Sequence, residues 1–139
     1  MISRKSTTFH TRLVLALAGL ALAGCATMGP KPKEEVVRER ATQRAEAYVK
    51  GDFARAYALL TPTYRKLRDV EGYKRSFGSG AVWQEAEVAT VACEEQRCKV
   101  GLKVSVKPLI PGMFNATIKV QFEEIWLLED GNWWLHQAL

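Results

Sequence analysis

The stretch EEIWLLEDGNWWLHQAL, residues 123–139, decides the fold of this chain. At its centre stands Asp130-Gly131, a dipeptide favoured in two-residue hairpin turns because both turn positions take positive φ. Apolar residues flank the dipeptide on both sides. The stretch therefore predicts a β-hairpin that closes an antiparallel sheet.

Both faces of this hairpin are apolar. Side chains alternate along a strand and the turn pairs Leu128 with Trp133, so Trp126 and Trp133 share one face while Trp134 lies on the other. The interior of one domain can bury only one of these faces, and the other needs a cover from the chain or from a second protein. An exposed apolar patch marks such a site. The Trp126/Trp133/Trp134 hairpin is therefore a candidate surface for a homodimer or an envelope protein partner.

The strand that enters the hairpin allows two side-chain phases. Three apolar residues set its inner face: Ile118, Val120 and Phe122. If the alternation continues, Glu124 and Trp126 also point inward, near Gln137. If Glu123-Glu124 forms a bulge, the phase slips by one residue. The inward side chains are then Ile125, Leu127, Trp134 and His136.

The residues before this strand predict a second hairpin. Four valines and leucines alternate with polar residues and glycine, which indicates a strand with one buried face: Val100, Leu102, Val104 and Val106. In ACEEQRC, Cys93 and Cys98 flank a four-residue loop, and Val91 and Ala89 continue the apolar face of Cys93. Cross-strand partners lie near the reach of a disulfide. Residues 1–24, a basic segment followed by a short apolar one, have the pattern of a secretory signal peptide, which predicts export to an oxidising compartment. We therefore predict a structural disulfide rather than free thiols.

The first half of the domain is helical. A stripe at steps of three and four opens it: Val37, Ala41, Ala45, Tyr48 and Val49. Gly51 ends this helix and Asp52 caps the next. Thr61-Pro62 starts a third helix, whose Tyr64 and Leu67 are expected to face inward. A fourth helix follows Asp69, with one apolar side formed by Val70, Tyr73 and Phe77.

Helices followed by an antiparallel meander predict one α+β domain over residues 34–139. AEAYVKGDFARAYALLTPTYRK (45–66) resembles the helical opening of the nuclear transport factor 2-like superfamily, and the closing hairpin resembles its W-x-L-x-x-G-x-W ending. The resemblance implies a cone in which the N-terminal helices pack on a curved antiparallel sheet that wraps them and often leaves a pocket at the wide end. The chain departs from the pattern in one respect, because no short strand is evident between the second and third helices.

The resemblance also supplies candidate pocket residues. These are Tyr48, Tyr57, Tyr64 and Trp83, with Glu124 or His136 according to strand phase. Enzymes of the superfamily use carboxylates, tyrosines or a His-Asp pair to move protons beside a carbonyl. The helical spacing of the tyrosines favours a core role, and neither Glu124 nor His136 has an evident partner. We expect no catalytic residue, metal or cofactor.

The N-terminal residues predict the cellular location of the protein. Arg4, Lys5 and Arg12 precede an uncharged stretch, 13–24, that is too short to span roughly 30 Å of hydrocarbon. This is the pattern of a secretory signal peptide over residues 1–24. It ends in Leu22-Ala23-Gly24-Cys25, which resembles the lipobox of bacterial lipoproteins. That resemblance implies lipidation of Cys25, with residues 25–33 as lipidated cysteine and tether.

The residue that follows Cys25 predicts which membrane holds the lipid anchor. In enterobacterial-type lipoproteins an Asp at this position retains the protein in the inner membrane, and this chain has Ala26. We therefore expect a lipid anchor in the periplasmic face of the outer membrane.

The net charge excludes a nucleic-acid binder. The chain carries +5, and three of these charges, Arg4, Lys5 and Arg12, lie in a signal segment without acidic residues, so +2 remains. No basic run interleaved with aromatics is present. The favoured function is a non-enzymatic binding or assembly module on a lipid anchor. The alternative is a small periplasmic enzyme, isomerase-like or dehydratase-like, or a carrier of apolar ligands in the cone.

Overall fold

The structure is a computed structural model that describes residues 29–77, 81–109 and 116–139. Within these ranges four helices precede four strands. They are α1 (Lys33–Val49), α2 (Phe53–Ala58), α3 (Pro62–Leu67), α4 (Val70–Phe77), β1 (Ala81–Cys93), β2 (Arg97–Pro108), β3 (Ile118–Glu129) and β4 (Asn132–His136). The predicted signal peptide, Cys25 and the first residues of the tether lie outside the described residues.

The four strands form one antiparallel sheet in the order β1-β2-β3-β4. The helices pack on its inner face, and the buried side chains of α1 meet those of β2, β3 and β4 in one core. The predicted α+β class, with helices on a curved antiparallel sheet, is confirmed.

The helix starts follow the predicted chemistry. The side chain of Asp52 accepts a hydrogen bond from the Arg55 amide, and Thr61 accepts one from the Tyr64 amide. These side chains satisfy amides that have no partner inside the helix. Gly51, with φ of +69°, ends the turn after α1. Local sequence therefore sets where the short helices begin.

The closing hairpin forms as predicted. Asp130 and Gly131 have φ of 50° and 74°, the two left-handed positions that a type I′ turn needs. Leu128 pairs with Trp133 and Trp126 pairs with Leu135.

The structure resolves the two alternatives for strand phase. The register between β2 and β3 runs without a shift from Val106↔Ile118 to Arg97↔Leu127, so Glu123-Glu124 is not a bulge. Glu124 and Trp126 are consequently buried on the inner face. The alternative phase is wrong, and His136 is exposed on the other face.

The irregularities of the sheet lie in β1 instead. Its register shifts between Trp83 and Glu85 and again between Val88 and Thr90. Because of the second shift, Val88 pairs with Leu102 and packs against the core, so the apolar face predicted to continue at Ala89 continues at Val88 instead. The guanidinium of Arg38 donates to the Val88 carbonyl at 2.9 Å, so a side chain of α1 satisfies this part of the edge strand.

The sequence shows no short strand between the second and third helices, and in the structure this position holds a single β-bridge. Leu60, between α2 and α3, pairs in parallel with Leu135. The Thr61 amide donates to the Leu135 carbonyl at 3.1 Å, and the Leu135 amide donates to the Leu59 carbonyl at 2.9 Å. This connection occupies the outer edge of β4.

The second hairpin carries the predicted disulfide. Cys93 and Cys98 are direct cross-strand partners with a Cα–Cα distance of 4.0 Å, and their sulfurs are bonded. The Glu94 amide donates to the Arg97 carbonyl at 2.7 Å and closes the loop. Cys98 is fully buried beside Trp126, its partner on β3.

Candidate functional site

A buried ion pair joins α1 to β3 in the core between the helices and the sheet. The Arg44 guanidinium donates from Nη1 to Oε1 of Glu124, and the two side chains are only 6% and 5% exposed. The Trp126 indole N–H donates to Oε2 of Glu124 at 3.1 Å. Both carboxylate oxygens therefore have protein donors.

Aromatic rings surround this ion pair. The Arg44 guanidinium carbon lies 4.5 Å from the ring centroid of Tyr48 and 5.8 Å from that of Trp83. The hydroxyls of Tyr48 and Tyr73 share a hydrogen bond of 2.7 Å. Cation–π contacts and the carboxylate together offset the cost of removing the guanidinium from water.

Burial dominates the electrostatics of the cluster. It raises the pKa of the Glu124 carboxyl above its usual value, while the Arg44 charge and the hydrogen bonds from Trp126 and Arg44 oppose that rise. Burial alone would lower the pKa of Arg44, but the charge of Glu124 and the neighbouring tyrosines shift it upward. Burial also raises the pKa of Tyr48 and of Tyr73. The two oppositely charged side chains therefore meet in the core, almost fully removed from solvent.

The predicted pocket residues do not form one site: three lie at the ion pair, two tyrosines lie around Tyr73, and His136 is separate. Tyr48, Trp83 and Glu124 meet at the ion pair. Tyr57 donates to the Arg65 and Arg68 carbonyls at 3.1 and 2.9 Å, and so ties α2 to the end of α3. Tyr64 and Tyr57 both contact the ring of Tyr73, and His136 lies outside the cluster.

Two members of the cluster, Arg44 and Tyr73, are not among the predicted site residues. Arg44 lies three residues after Ala41 and four before Tyr48, on the same helical stripe. An arginine within an apolar stripe is the signal that could have indicated a buried charge. Tyr73 is buried, as the apolar side predicted for α4 requires, and its hydroxyl is hydrogen-bonded to Tyr48 of α1.

The outer face of the closing hairpin is covered in part by arginines. The guanidinium carbons of Arg40 and Arg65 lie 4.8 and 5.0 Å from the ring centroid of Trp134. The indole N–H of Trp134 donates to the Glu129 carbonyl at 3.2 Å. The second apolar face predicted from sequence is thus half-buried against the chain's own cations.

Beside this face runs a groove of about 470 Å³ between α3, the closing hairpin and residues 137–139. Tyr64, Leu67, Leu127 and His136 contribute to its walls. The prediction that Leu67 faces inward is wrong, because its side chain is 64% exposed. Tyr64 already fills the inward position of this six-residue helix, and Leu67 is left on the groove side.

The tyrosine pair predicts how stability changes at alkaline pH. In the unfolded chain both phenols ionise near pH 10, whereas burial keeps Tyr48 and Tyr73 protonated to higher pH in the folded chain. Their contribution to stability is therefore present below about pH 10 and lost as the pH rises above it. We expect the free energy of unfolding to fall more steeply between about pH 10 and 11 in the wild type than in the Tyr48→Phe/Tyr73→Phe variant. Urea unfolding at a series of pH values measures both slopes, and equal slopes would contradict the assignment.

No protein-family model matches the chain, and no curated protein matches it in sequence. Solved structures match its fold. A SEC-C motif containing protein from Psychrobacter arcticus matches over 78% of this chain and 62% of that one, at 13% identity and a TM-score of 0.57. TsrD from Streptomyces laurentii matches over 76% and 87%, at 19% identity and a TM-score of 0.56.

The matching structures also include a candidate calcium/calmodulin-dependent kinase II association domain from Exiguobacterium sibiricum. The match covers 78% of this chain and 92% of that domain, at 15% identity and a TM-score of 0.54. A further match is a protein from Streptomyces avermitilis that is described as a dehydratase candidate of the nuclear transport factor 2-like family. The match covers 73% of this chain and 92% of that chain, at 14% identity and a TM-score of 0.47. Identities at this level concern the fold alone.

Proposed function

We propose that this chain is a lipid-anchored protein of the cell envelope that acts as a non-enzymatic binding or assembly module. The observation that carries the proposal is Leu22-Ala23-Gly24-Cys25, placed behind a basic segment and a short apolar one. Small residues before the cysteine suit a protease cleft, and a thiol is the nucleophile that accepts a lipid. Two or three acyl chains on Cys25 would hold the protein firmly, where one chain binds only marginally.

The tether keeps the domain near its anchor. Residues 26–32 separate Cys25 from α1, and even a fully extended chain from Cys25 to the helix spans at most about 30 Å. Pro30 and Pro32 favour an extended backbone in this segment. The module would therefore work close to the periplasmic face of the outer membrane. None of the helices that the structure describes is long and apolar enough to cross a membrane.

The state of the cone supports a binding role over a catalytic one. A general acid or base needs a proton-accepting atom within reach of the substrate. Both oxygens of Glu124 are occupied, by Arg44 and by Trp126, and the side chain is almost fully buried. The surface around Trp134 and the groove beside it are by contrast open to another molecule.

One observation favours the alternative of a periplasmic enzyme or a carrier of apolar ligands. Burial raises the pKa of Glu124, and the Tyr48–Tyr73 hydroxyl pair lies near it. Native mass spectrometry of protein purified from its own host separates the two functions. A small molecule retained at one equivalent would support the alternative, and ligand-free protein would support the binding module.

The anchor is tested by Cys25→Ser. We expect this variant to incorporate no labelled fatty acid and to leave the membrane fraction, because the hydroxyl replaces the thiol that accepts the lipid. A Cys93→Ser/Cys98→Ser variant removes the other two cysteines and should remain labelled. Ala26→Asp should move the labelled protein to the inner membrane fraction. Labelling or membrane association that persists in Cys25→Ser would overturn the anchor.

A further inference from the structure

The first half of β3 is an open edge of the sheet. β4 pairs only with the second half of β3, from Ile125↔His136 to Glu129↔Asn132. Residues 137–139 do not continue that ladder, since they line the groove beside α3. Within the described residues no backbone segment pairs with residues 118–124 on the side away from β2. Residues 118–124 are termed the β3 edge.

The two outermost strands, in contrast, are protected. β1 carries two register shifts, and Arg38 donates to the Val88 carbonyl on this strand. The bridge from Leu60 occupies the outer edge of β4. Bulges and coverings of this kind hinder edge-to-edge pairing between sheets. The β3 edge has no register shift against β2, and no described segment bonds to its open side.

The backbone of the β3 edge directs pairing groups to the open side at every second residue. In a two-residue hairpin the residues that flank the turn, Glu129 and Asn132, form a hydrogen-bonded pair. Hydrogen-bonded and non-hydrogen-bonded positions alternate along a strand. This alternation, followed back along β3, directs the N–H and C=O groups of Glu123, Gln121 and Lys119 to the open side.

The side chains of the β3 edge divide into an apolar and a charged face. On the inner face Ile118 and Phe122 are 38% and 37% exposed, although the Phe122 ring contacts Trp83 at 5.5 Å between centroids. The outer face carries three exposed polar side chains: Lys119, Gln121 and Glu123. A strand with open backbone groups and one apolar face is able to add to the sheet of another molecule.

The β3 edge is complementary to a second copy of itself. If two copies pair antiparallel about Gln121, Lys119 of each copy lies directly opposite Glu123 of the other. On the inner face the same register places Val120 opposite Phe122 of the second copy. Opposite charges and apolar side chains at directly opposed positions stabilise antiparallel strands. A centre at Val120 or Phe122 would put Gln121 across from a charged residue, so the charges select the register about Gln121.

We propose that two copies of this chain associate through the β3 edge, antiparallel about Gln121, so that their sheets become continuous. Lys119, Gln121 and Glu123 of each copy exchange backbone hydrogen bonds with the other, and Phe122 loses its exposure to solvent. The twofold symmetry makes every contact occur twice. The inference goes beyond the proposed function, because it assigns a surface separate from Trp134 and names its partner. The pairing itself does not depend on the lipid anchor.

Crosslinking in cells that express the full chain tests the register. Gln121→Cys places two thiols opposite each other, and the Cα atoms of such a hydrogen-bonded pair lie about 5.5 Å apart, within reach of a disulfide. Diamide oxidises the two thiols, and a non-reducing gel should show a band at twice the mass of the chain that reduction removes. Lys103→Cys is the matched control, because Lys103 is exposed and pairs with Gln121 from β2, away from the β3 edge. This control should stay monomeric.

Charge exchange tests the partner. Lys119→Glu and Glu123→Lys each set like charges opposite each other at two places in the dimer. Co-purification of two differently tagged copies in detergent should therefore fall about tenfold or more in either variant. The two variants mixed should co-purify as the wild type does with itself, because opposite charges face each other again. This recovery distinguishes lost pairing from a folding defect.

Three results would overturn the proposal: no crosslink in Gln121→Cys, equal crosslinking of Lys103→Cys, or a mixed pair that associates no better than either variant alone. A Gln121→Cys disulfide to a different protein would also overturn it. So would self-association that is lost in Trp134→Ala and gives no crosslink at Gln121. Fatty-acid labelling of Cys25→Ser is scored separately, so failure of the β3 edge and failure of the anchor are distinguishable.

Discussion

Replacing Glu124 by leucine is expected to lower the free energy of unfolding by about 3–5 kcal/mol. The change leaves the Arg44 guanidinium charged in the core without its carboxylate, and it removes the acceptor of the Trp126 indole N–H. Urea denaturation of the purified chain near neutral pH, followed by far-UV circular dichroism, measures the loss.

Two further variants make this result specific. In Arg44→Met/Glu124→Leu both charges are gone, and apolar replacement of a buried pair is often neutral, so most of the lost stability should return. Glu123→Leu is the matched surface control, because Glu123 pairs with Lys99 at 3.7 Å with both side chains about half exposed. Exposed pairs contribute about 0–1 kcal/mol. If the double variant were as unstable as Glu124→Leu, the buried charge would not be the cause.

Trp126→Ala is expected to cost about 3–5 kcal/mol, as truncations of buried aromatic side chains do. Trp126 is fully buried, is the cross-strand partner of Cys98 and donates its indole N–H to Glu124. Trp134→Ala removes a half-buried ring and two cation–π contacts, each about 0.5–1 kcal/mol at exposed sites. The first variant should be largely unfolded, and the second should remain folded.

The same pair of variants tests the hairpin as a partner surface. Only the face of Trp134 remains open to a partner, because Trp126 and Trp133 are buried within the chain. We therefore expect Trp134→Ala to weaken self-association or partner binding in sedimentation velocity. If the wild type sediments as a monomer at high concentration and Trp134→Ala binds partners as before, Arg40 and Arg65 are sufficient cover and this surface has no partner.

The sequence alone determined the features that depend on neighbouring residues. Asp130-Gly131 fixed the closing turn because its φ angles suit a type I′ hairpin. Asp52 and Thr61 fixed two helix starts because their side chains accept amide hydrogen bonds. The four-residue loop makes Cys93 and Cys98 direct cross-strand partners, and such partners lie close enough to form a disulfide.

The tertiary structure decided what depends on elements far apart in the chain. Arg44 and Glu124 are separated by 80 positions, and neither residue alone indicates a buried ion pair. Their meeting requires α1 to pack on the inner face of the sheet, and the unshifted register of β2 with β3 places Glu124 on that face, in one of the two strand phases that the sequence left open. Burial of a carboxylate is tolerated only where a hydrogen-bond donor lies beside it. The packing of α1 on the sheet supplies that donor here.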